Sequence, residues 1–486
     1  MKKINLVLIA LLLLSVSCKK YVEIDNPRGT LIDAVVFQKD ATATAVLTGA
    51  LQTAMTGYSV SFSYYMGLSA DELVNYSVST DQTSLYRNDL TPDNSYPAAL
   101  WTNAYKVIYI TNAALEGIAN SSTISEPVRK QLNGEAKFMR AFSYFYLVNL
   151  YGDVPLLLQS DYKVNMVAKR TPKAEVYKQI VADLIDAKGL LTPGYLGDNN
   201  ATSTSKNRPN QAAAKALLAR TYLYTGDWQN AELESTDIIN NQTYALETDL
   251  TKVFLIVSKE AIWQMEEGTS GISTKDGPLF ILSTLTTGLP NNVSLSKDLA
   301  ESYLAGDTRK ALWVGVSRGG TATAPEDFYY AYKYKQGIGA TPATEKTMVL
   351  RLAEQYLIRA EARIQQAGKI ADGIADINII RRRAYGFSLT APSSADLQAT
   401  ISKAQAMTAL ENERRLELFT EWGHRWLDLK RWKGINNPAI NRVDEVMPPV
   451  TLLKGGAWNT NMQLYPVPAA DRLNDPNLSQ NLGYTK

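Results

Sequence analysis

One cysteine, Cys18, and one histidine, His424, are the only thiol and the only imidazole in 486 residues. With Cys18 so near the start, the rest of the chain has no disulfide framework, no thiol nucleophile and no thiolate metal site. A single histidine excludes a zinc site of the His₃, His₂Glu or HExxH kind within one chain. Acyl transfer through a Ser-His-Asp unit would have to use His424, which lies in the crowded stretch EWGHRWLD at 421–428 and reads as a packed helical residue. The chemistry left open is that of paired carboxylates, or none. Net charge is scarce too. Residues 1–17 carry Lys2, Lys3 and no acid, and without those two lysines the 50 basic residues balance the 48 acidic ones. Binding to nucleic acid or to anionic lipid runs on excess positive charge, so neither is favoured.

The longest apolar run, residues 4–16, spans only about 20 Å as a helix and is too short to cross a membrane. With Lys2 and Lys3 before it and small residues after it, it reads as a secretory signal. Its end, Ser15-Val16-Ser17-Cys18, resembles the bacterial lipoprotein box, although Ser15 stands where an aliphatic residue is usual. The cysteine thiol would then be acylated and become the new N-terminus, since two or more acyl chains give stable membrane attachment. Residues 19–28 are polar, contain Pro27 and suit a short extended stalk.

A composition of 45% hydrophobic and 20% charged residues is that of a globular chain. Ala43, Val46, Leu47, Ala50, Leu51 and Ala54 follow three- and four-residue spacing and predict a helix over 40–55. Residues 56–98 hold no helical period; they mix tyrosines with Ser, Thr, Asn and Asp and predict a long irregular stretch of the functional kind. Helices are predicted over 100–118 and 171–191. A third, over 125–151, is capped by Ser125, has Pro127 in its first turn, and is apolar nearly all round, hence central. Leu218, Ala219, Tyr222, Gly226, Trp228 and Ala231 match the tetratricopeptide spacing, with Ser235 and Thr243 departing from it later; residues 354–383 repeat the theme loosely. Residues 253–256 and 262–265 predict short strands, residues 318–325 a small-residue loop, residues 401–430 one charged helix, and the remainder loop.

Four blocks carry a family resemblance. They are KFMRAFSYFYLVNLYGDVP at 137–155, LRLAEQYLIRAEA at 350–362, ERRLELF at 413–419 with RWLDLKRW at 425–432, and LYPVP at 464–468 with NLSQNLGY at 477–484. Together they resemble the SusD/RagB family of outer-membrane nutrient-binding lipoproteins of Bacteroidetes. The resemblance implies an all-α fold with about four irregular tetratricopeptide-like helix pairs supporting a loop-rich ligand face with minor short strands. It implies a signal peptide at 1–17, a lipid-anchored tether at 18–36 and one SusD-like domain at 37–486. Helix pairs would lie at about 100–245 and 346–432, and loop-rich portions at about 56–98, 246–345 and 433–486. The implied protein is anchored through Cys18, exposed at the cell surface, and partnered by a TonB-dependent transporter of the SusC type. Its ligand would be an oligosaccharide, or a peptide as on the RagB side. It would not be an enzyme and would need no cofactor; the sequence names no metal-site residues, and its scattered Asp and Asn show no EF-hand spacing that would decide for or against a structural calcium.

Sugar binding needs flat aromatic faces and short polar groups. The aromatics of the two irregular stretches are therefore the candidates: Tyr76, Tyr86, Tyr96 and Trp101 from the first, and Trp313, Tyr329 and Tyr330 from the second. Arg87, Asn88 and Asn103 are the candidate polar partners. The ionic residues Glu413, Arg414, Glu417, Arg425 and Asp428 read as ties between helices. The rivals are a glycosidase using two of the acids and a scaffold that binds only another protein through its helix pairs.

Overall fold

Tyr58, Phe62 and Met66 recur every four residues and are fully buried, so the first helix continues well past residue 55. In the computed structural model, which describes residues 36–484 apart from 267–272, 283–288, 290–291 and 322, helix α1 runs Asp40–Ser69. Cys18, the signal segment and nearly all of the tether lie outside the described residues. The predicted irregular stretch therefore begins some 14 residues late: its Ser, Thr and Gly positions hid a period carried by aromatics.

After α1 come strand β1 (Leu73–Asn75) and helices α2 (Thr80–Tyr86), α3 (Ser95–Asn120), α4 (Glu126–Tyr151), α5 (Lys173–Leu190), α6 (Gln211–Thr225) and α7 (Trp228–Ile239). Strands β2 (Ala261–Met265), β3 (Val293–Leu295), β4 (Val314–Gly320), β5 (Pro325–Ala331) and β6 (Thr347–Arg351) occupy the second irregular region. Helices α8 (Leu352–Gln365), α9 (Ile370–Ala384), α10 (Lys403–Leu418), α11 (His424–Arg431) and α12 (Arg442–Leu453) follow. The described chain is mostly helical. Successive packing runs α1, α3, α4, α5, α6, α7, α8, α9, and the strands form two-stranded antiparallel ladders only.

Helix α4 is the centre, as its all-round apolar pattern predicts. Phe138, Met139, Phe142, Phe145 and Tyr146 are all at most 1% exposed. Phe62 of α1 stacks on Tyr146 with centroids 3.9 Å apart, while Trp263 and Trp422 set their edges against Phe142. Ser125 stands at the N-cap position of α4 but does not cap it. Its hydroxyl and amide donate instead to the Asp40 carboxylate at the start of α1, at 2.7 and 2.9 Å.

The tetratricopeptide turn has the geometry its glycine implies. Gly226 adopts φ 78°, its amide donates to Leu223 O, and that of Asp227 donates to Tyr222 O at 2.9 Å, which closes a Schellman motif between α6 and α7. Gly373 lets α9 approach α8 so closely that a Cβ there would lie 2.6 Å from Ala360 O. Buried ion pairs bind the layers: Arg140 of α4 to Asp183 of α5, Arg220 of α6 to Glu354 of α8, and Arg359 of α8 to Asp376 of α9.

Three further predictions are corrected. Residues 401–430 form two helices, because Thr420, Trp422 and Gly423 all take positive φ and break the run after Leu418. Residues 253–256 are a turn with one isolated bridge, at Leu255. The supposed loop at 318–325 is the tip of the β4–β5 hairpin, and α12 occupies part of the supposed C-terminal loop despite Pro448 and Pro449. The charged residues of α10 and α11 behave as predicted. Glu417 receives Arg309, Arg351 and Arg383; Arg414 pairs with Asp428; Arg425 grips Asp71 through two bonds of 2.8 Å.

Candidate functional site

The two irregular regions meet. Leu73, Val74 and Asn75 of β1 pair with Leu295, Ser294 and Val293 of β3, and the amide of Tyr76 donates to Asn292 O at 2.8 Å. The Tyr76 ring then sets its edge on Phe328 of β5, 5.7 Å away at 86°, and its hydroxyl lies 3.3 Å from Ser294 Oγ. Strand alternation puts Tyr330 on the same face of β5 as Phe328. The Tyr330 ring lies across its register partner Gly315, where a Cβ would come within 2.1 Å of it.

Beside this junction lies a face of tyrosines and amides. Asn292 Oδ1 accepts from the Tyr64 hydroxyl at 2.7 Å and from Gln82 Nε2 at 2.9 Å. Gln82 Nε2 also donates to Asn75 Oδ1 at 2.7 Å, and Gln82 Oε1 accepts from the Tyr96 hydroxyl at 3.3 Å. The Tyr96 ring lies 4.5 Å from that of Tyr65, which in turn is 5.5 Å from Tyr64. Gln82 is buried, while Tyr65, Tyr76 and Tyr96 are half-buried. The central hydrogen bonds thus join neutral groups, and the outer rings keep part of their surface open to solvent. Burial pushes all four tyrosine hydroxyls up from their ordinary value, so they remain protonated donors at neutral pH. Asn94 positions Tyr96: it caps α3 by accepting from the Tyr96 amide, and its own amide group ties back to Ser84 Oγ at 2.7 Å.

The other sequence candidates divide. Tyr86 is half-buried under Lys454, whose ammonium sits 4.8 Å from its ring centre. Arg87 is exposed. Asn88 is buried at φ 54° and donates to Ser69 O, which makes it part of the chain reversal after α2. Asn103 fills the space over Gly57 between α1 and α3. Tyr329 is half-buried and donates to Glu301 Oε1 at 3.0 Å.

Trp101 and Trp313 are corrections. They are 2% and 0% exposed, so neither offers a face to a ligand. Trp101 packs against Tyr105 and Tyr151, and Trp313 packs against Phe254 while donating its indole N–H to Leu250 O. Sequence reasoning passed over Tyr64, Tyr65, Gln82 and Asn292. The Tyr64-Tyr65 doublet after Ser63 was the one available signal; nothing in the sequence marks Asn292.

His424 is buried. Burial first, then the positive charges of Arg220, Arg414, Arg351 and Lys333, hold its imidazole well below the ordinary value. Among the described residues no three His, Cys, Asp or Glu side chains gather as a metal cluster would, and no helix is long and apolar enough to cross a membrane.

Comparison with known proteins places this architecture. Residues 21–223 match a family model described as "Starch-binding associating with outer membrane", and residues 321–484 match the model of the SusD family. The chain belongs to the SusD/RagB family. SusD-like protein P2 of Formosa agariphila is 27% identical over 99% of both chains. A SusD superfamily protein from Bacteroides vulgatus shares the fold with a TM-score of 0.76 at 20% identity, over 92% of this chain and all of that one. A laminarin-binding SusD-like protein superposes with a TM-score of 0.68 at 21% identity, over 92% of this chain and 99% of that one.

Proposed function

We propose that this SusD-like protein is a non-catalytic receptor that captures nutrient oligosaccharides at the outer surface of the outer membrane. It is held there by lipid on Cys18 and passes its ligand to a TonB-dependent transporter of the SusC type. The observation that carries the reading is the Tyr65–Tyr96 pair set over the Gln82–Asn292 amide couple. Aromatic rings cover the C–H faces of a sugar, while amide and phenol groups match its hydroxyls. The family's starch description and the laminarin-binding neighbour support a glycan ligand without choosing one.

Catalysis has little to build on. The imidazole is buried and neutral, and the carboxylates of α10 and α11 are spent on arginines. The deciding experiment is calorimetric titration of the protein with linear glucans and with tripeptides to hexapeptides, alongside the Tyr65→Ala/Tyr96→Ala double variant. Glucan binding lost in the variant supports the proposal. Heat with peptides alone would assign the RagB-type role, and release of reducing ends from the glucans would refute a binding-only protein.

A further inference from the structure

A cavity of about 590 Å³ opens between the C-terminal end of α4, the start of α5, helix α11 and the last residues of the chain. It shares no lining residue with the tyrosine face. Its arginine is held differently from the deeply buried ones. Elsewhere the deeply placed arginines, Arg220, Arg309, Arg351 and Arg383 among them, each meet a carboxylate, as burial of charge requires. Here Arg170 spends its guanidinium on neutral acceptors only: Asp153 O at 2.7 Å, Tyr151 O at 3.1 Å, Ser479 O at 3.0 Å and Asn481 Oδ1. The Lys430 ammonium donates to Asn149 O and lies 5.6 Å from the Trp426 ring centre. Lys173 is exposed beside them.

Among the described residues none of these three cations has a carboxylate within ion-pair distance, and Asp153 is the one acid in the cavity wall. The fourth cation, Arg431, is already held by Glu361 and Asp428. Burial pushes Lys430 well below the ordinary lysine value, and the neighbouring charge of Lys173 adds to the effect. Asp153 draws on Arg170 and Lys173 from beyond ion-pair distance, so three cations share one acid and the site gains from an incoming anion.

We propose that this cavity binds an acidic saccharide, with Arg170, Lys173 and Lys430 receiving its carboxylate or sulfate and the side-chain amide of Asn461 facing its hydroxyls. A guanidinium and two ammonium groups lining one cavity suit an oxyanion, since charge-assisted hydrogen bonds are the strong ones. Amides donate and accept, as sugar hydroxyls require. The volume falls within the range of about 300–1,000 Å³ usual for small-ligand pockets. The inference stands apart from the proposal of oligosaccharide capture at the tyrosine face, because it concerns different residues.

The test is calorimetric titration of the full, detergent-solubilised chain with four probes: trigalacturonate, a sulfated galactose disaccharide, neutral galactotriose and sodium sulfate. The expected result is saturable binding of the uronate or the sulfated sugar that weakens as sodium chloride rises, and at least tenfold weaker binding in Lys173→Gln. Lys173 is exposed, so that variant keeps the fold; Lys430→Met, checked by its melting curve, provides a second reading. Unchanged affinity in Lys173→Gln, no binding of either acidic sugar, or sulfate binding as tightly as the sugars would each overturn the proposal.

Discussion

Arg220 of α6 and Glu354 of α8 face each other through two parallel hydrogen bonds of 2.7 Å although 134 residues separate them in the chain. Both are 1% exposed. His424 Nε2 lies 3.9 Å from the same carboxylate but is neutral and adds no charge. Glu354→Gln leaves a buried guanidinium without its counter-ion and should cost about 3–5 kcal/mol in denaturant unfolding. The double change Arg220→Met/Glu354→Met should cost much less, because it removes both charges together.

Glu72 is 1% exposed, and its Oε1 has no hydrogen-bond partner among the described residues. Burial, and then the negative charge of Asp71, push its carboxyl up to about 7, against the opposing pull of Arg425, Lys333 and Arg415. A raised acid binds its proton more tightly in the folded state, so stability falls as pH climbs from the unfolded value through about 7. The loss is on the order of 3 kcal/mol once that range is crossed. Melting temperatures taken from pH 5 to pH 8.5 should fall more steeply in the wild type than in Glu72→Gln, which keeps the other raised carboxyls. Equal slopes in the two proteins would place the cause elsewhere.

Trp101→Ala should lower stability by about 3–5 kcal/mol, as large core truncations do. Tyr65→Ala/Tyr96→Ala, at the half-open face, should shift the melting temperature by only a few degrees while weakening glucan affinity roughly tenfold or more, each factor of ten being 1.4 kcal/mol. Paired melting and titration curves separate the two roles. A stability loss in the tyrosine variant equal to that of Trp101→Ala would make those rings core residues too.

Cys18→Ala should leave a folded protein that no longer fractionates with membranes. The measurement is detergent-free fractionation of cells expressing either form. Retention of the variant in the outer-membrane fraction would argue against a lipid anchor.

Much of the helical frame was legible because its signals are local. The four-residue spacing on α4, the glycine turn at Gly226 and the paired small residues around Ala360 each follow from neighbours in sequence. Helix α1 was half-missed because its second part writes its period in aromatics set among serines. The site was less legible for a different reason. The Gln82–Asn292 bond spans 210 residues, and no residue type at either end announces the other. Trp101 misled because a tryptophan beside a loop has the same sequence appearance whether it faces solvent or, as here, Tyr151. Tyr76 and Tyr96 were chosen by the same reasoning as Trp101; what separates them is that they stay half-buried, which only the assembled fold shows.

Lys454, at the end of α12, inserts its ammonium under the last turn of α1, donating to Leu68 O and Ala70 O across 386 and 384 residues. The helix that carries Tyr64 and Tyr65 is therefore latched at its last turn by a residue far along the chain. A nascent or C-terminally clipped polypeptide has the rings without the latch. If the tyrosine face is the ligand site as proposed, cutting the chain before Lys454 would weaken capture from a distance, by loosening the turn that follows these rings.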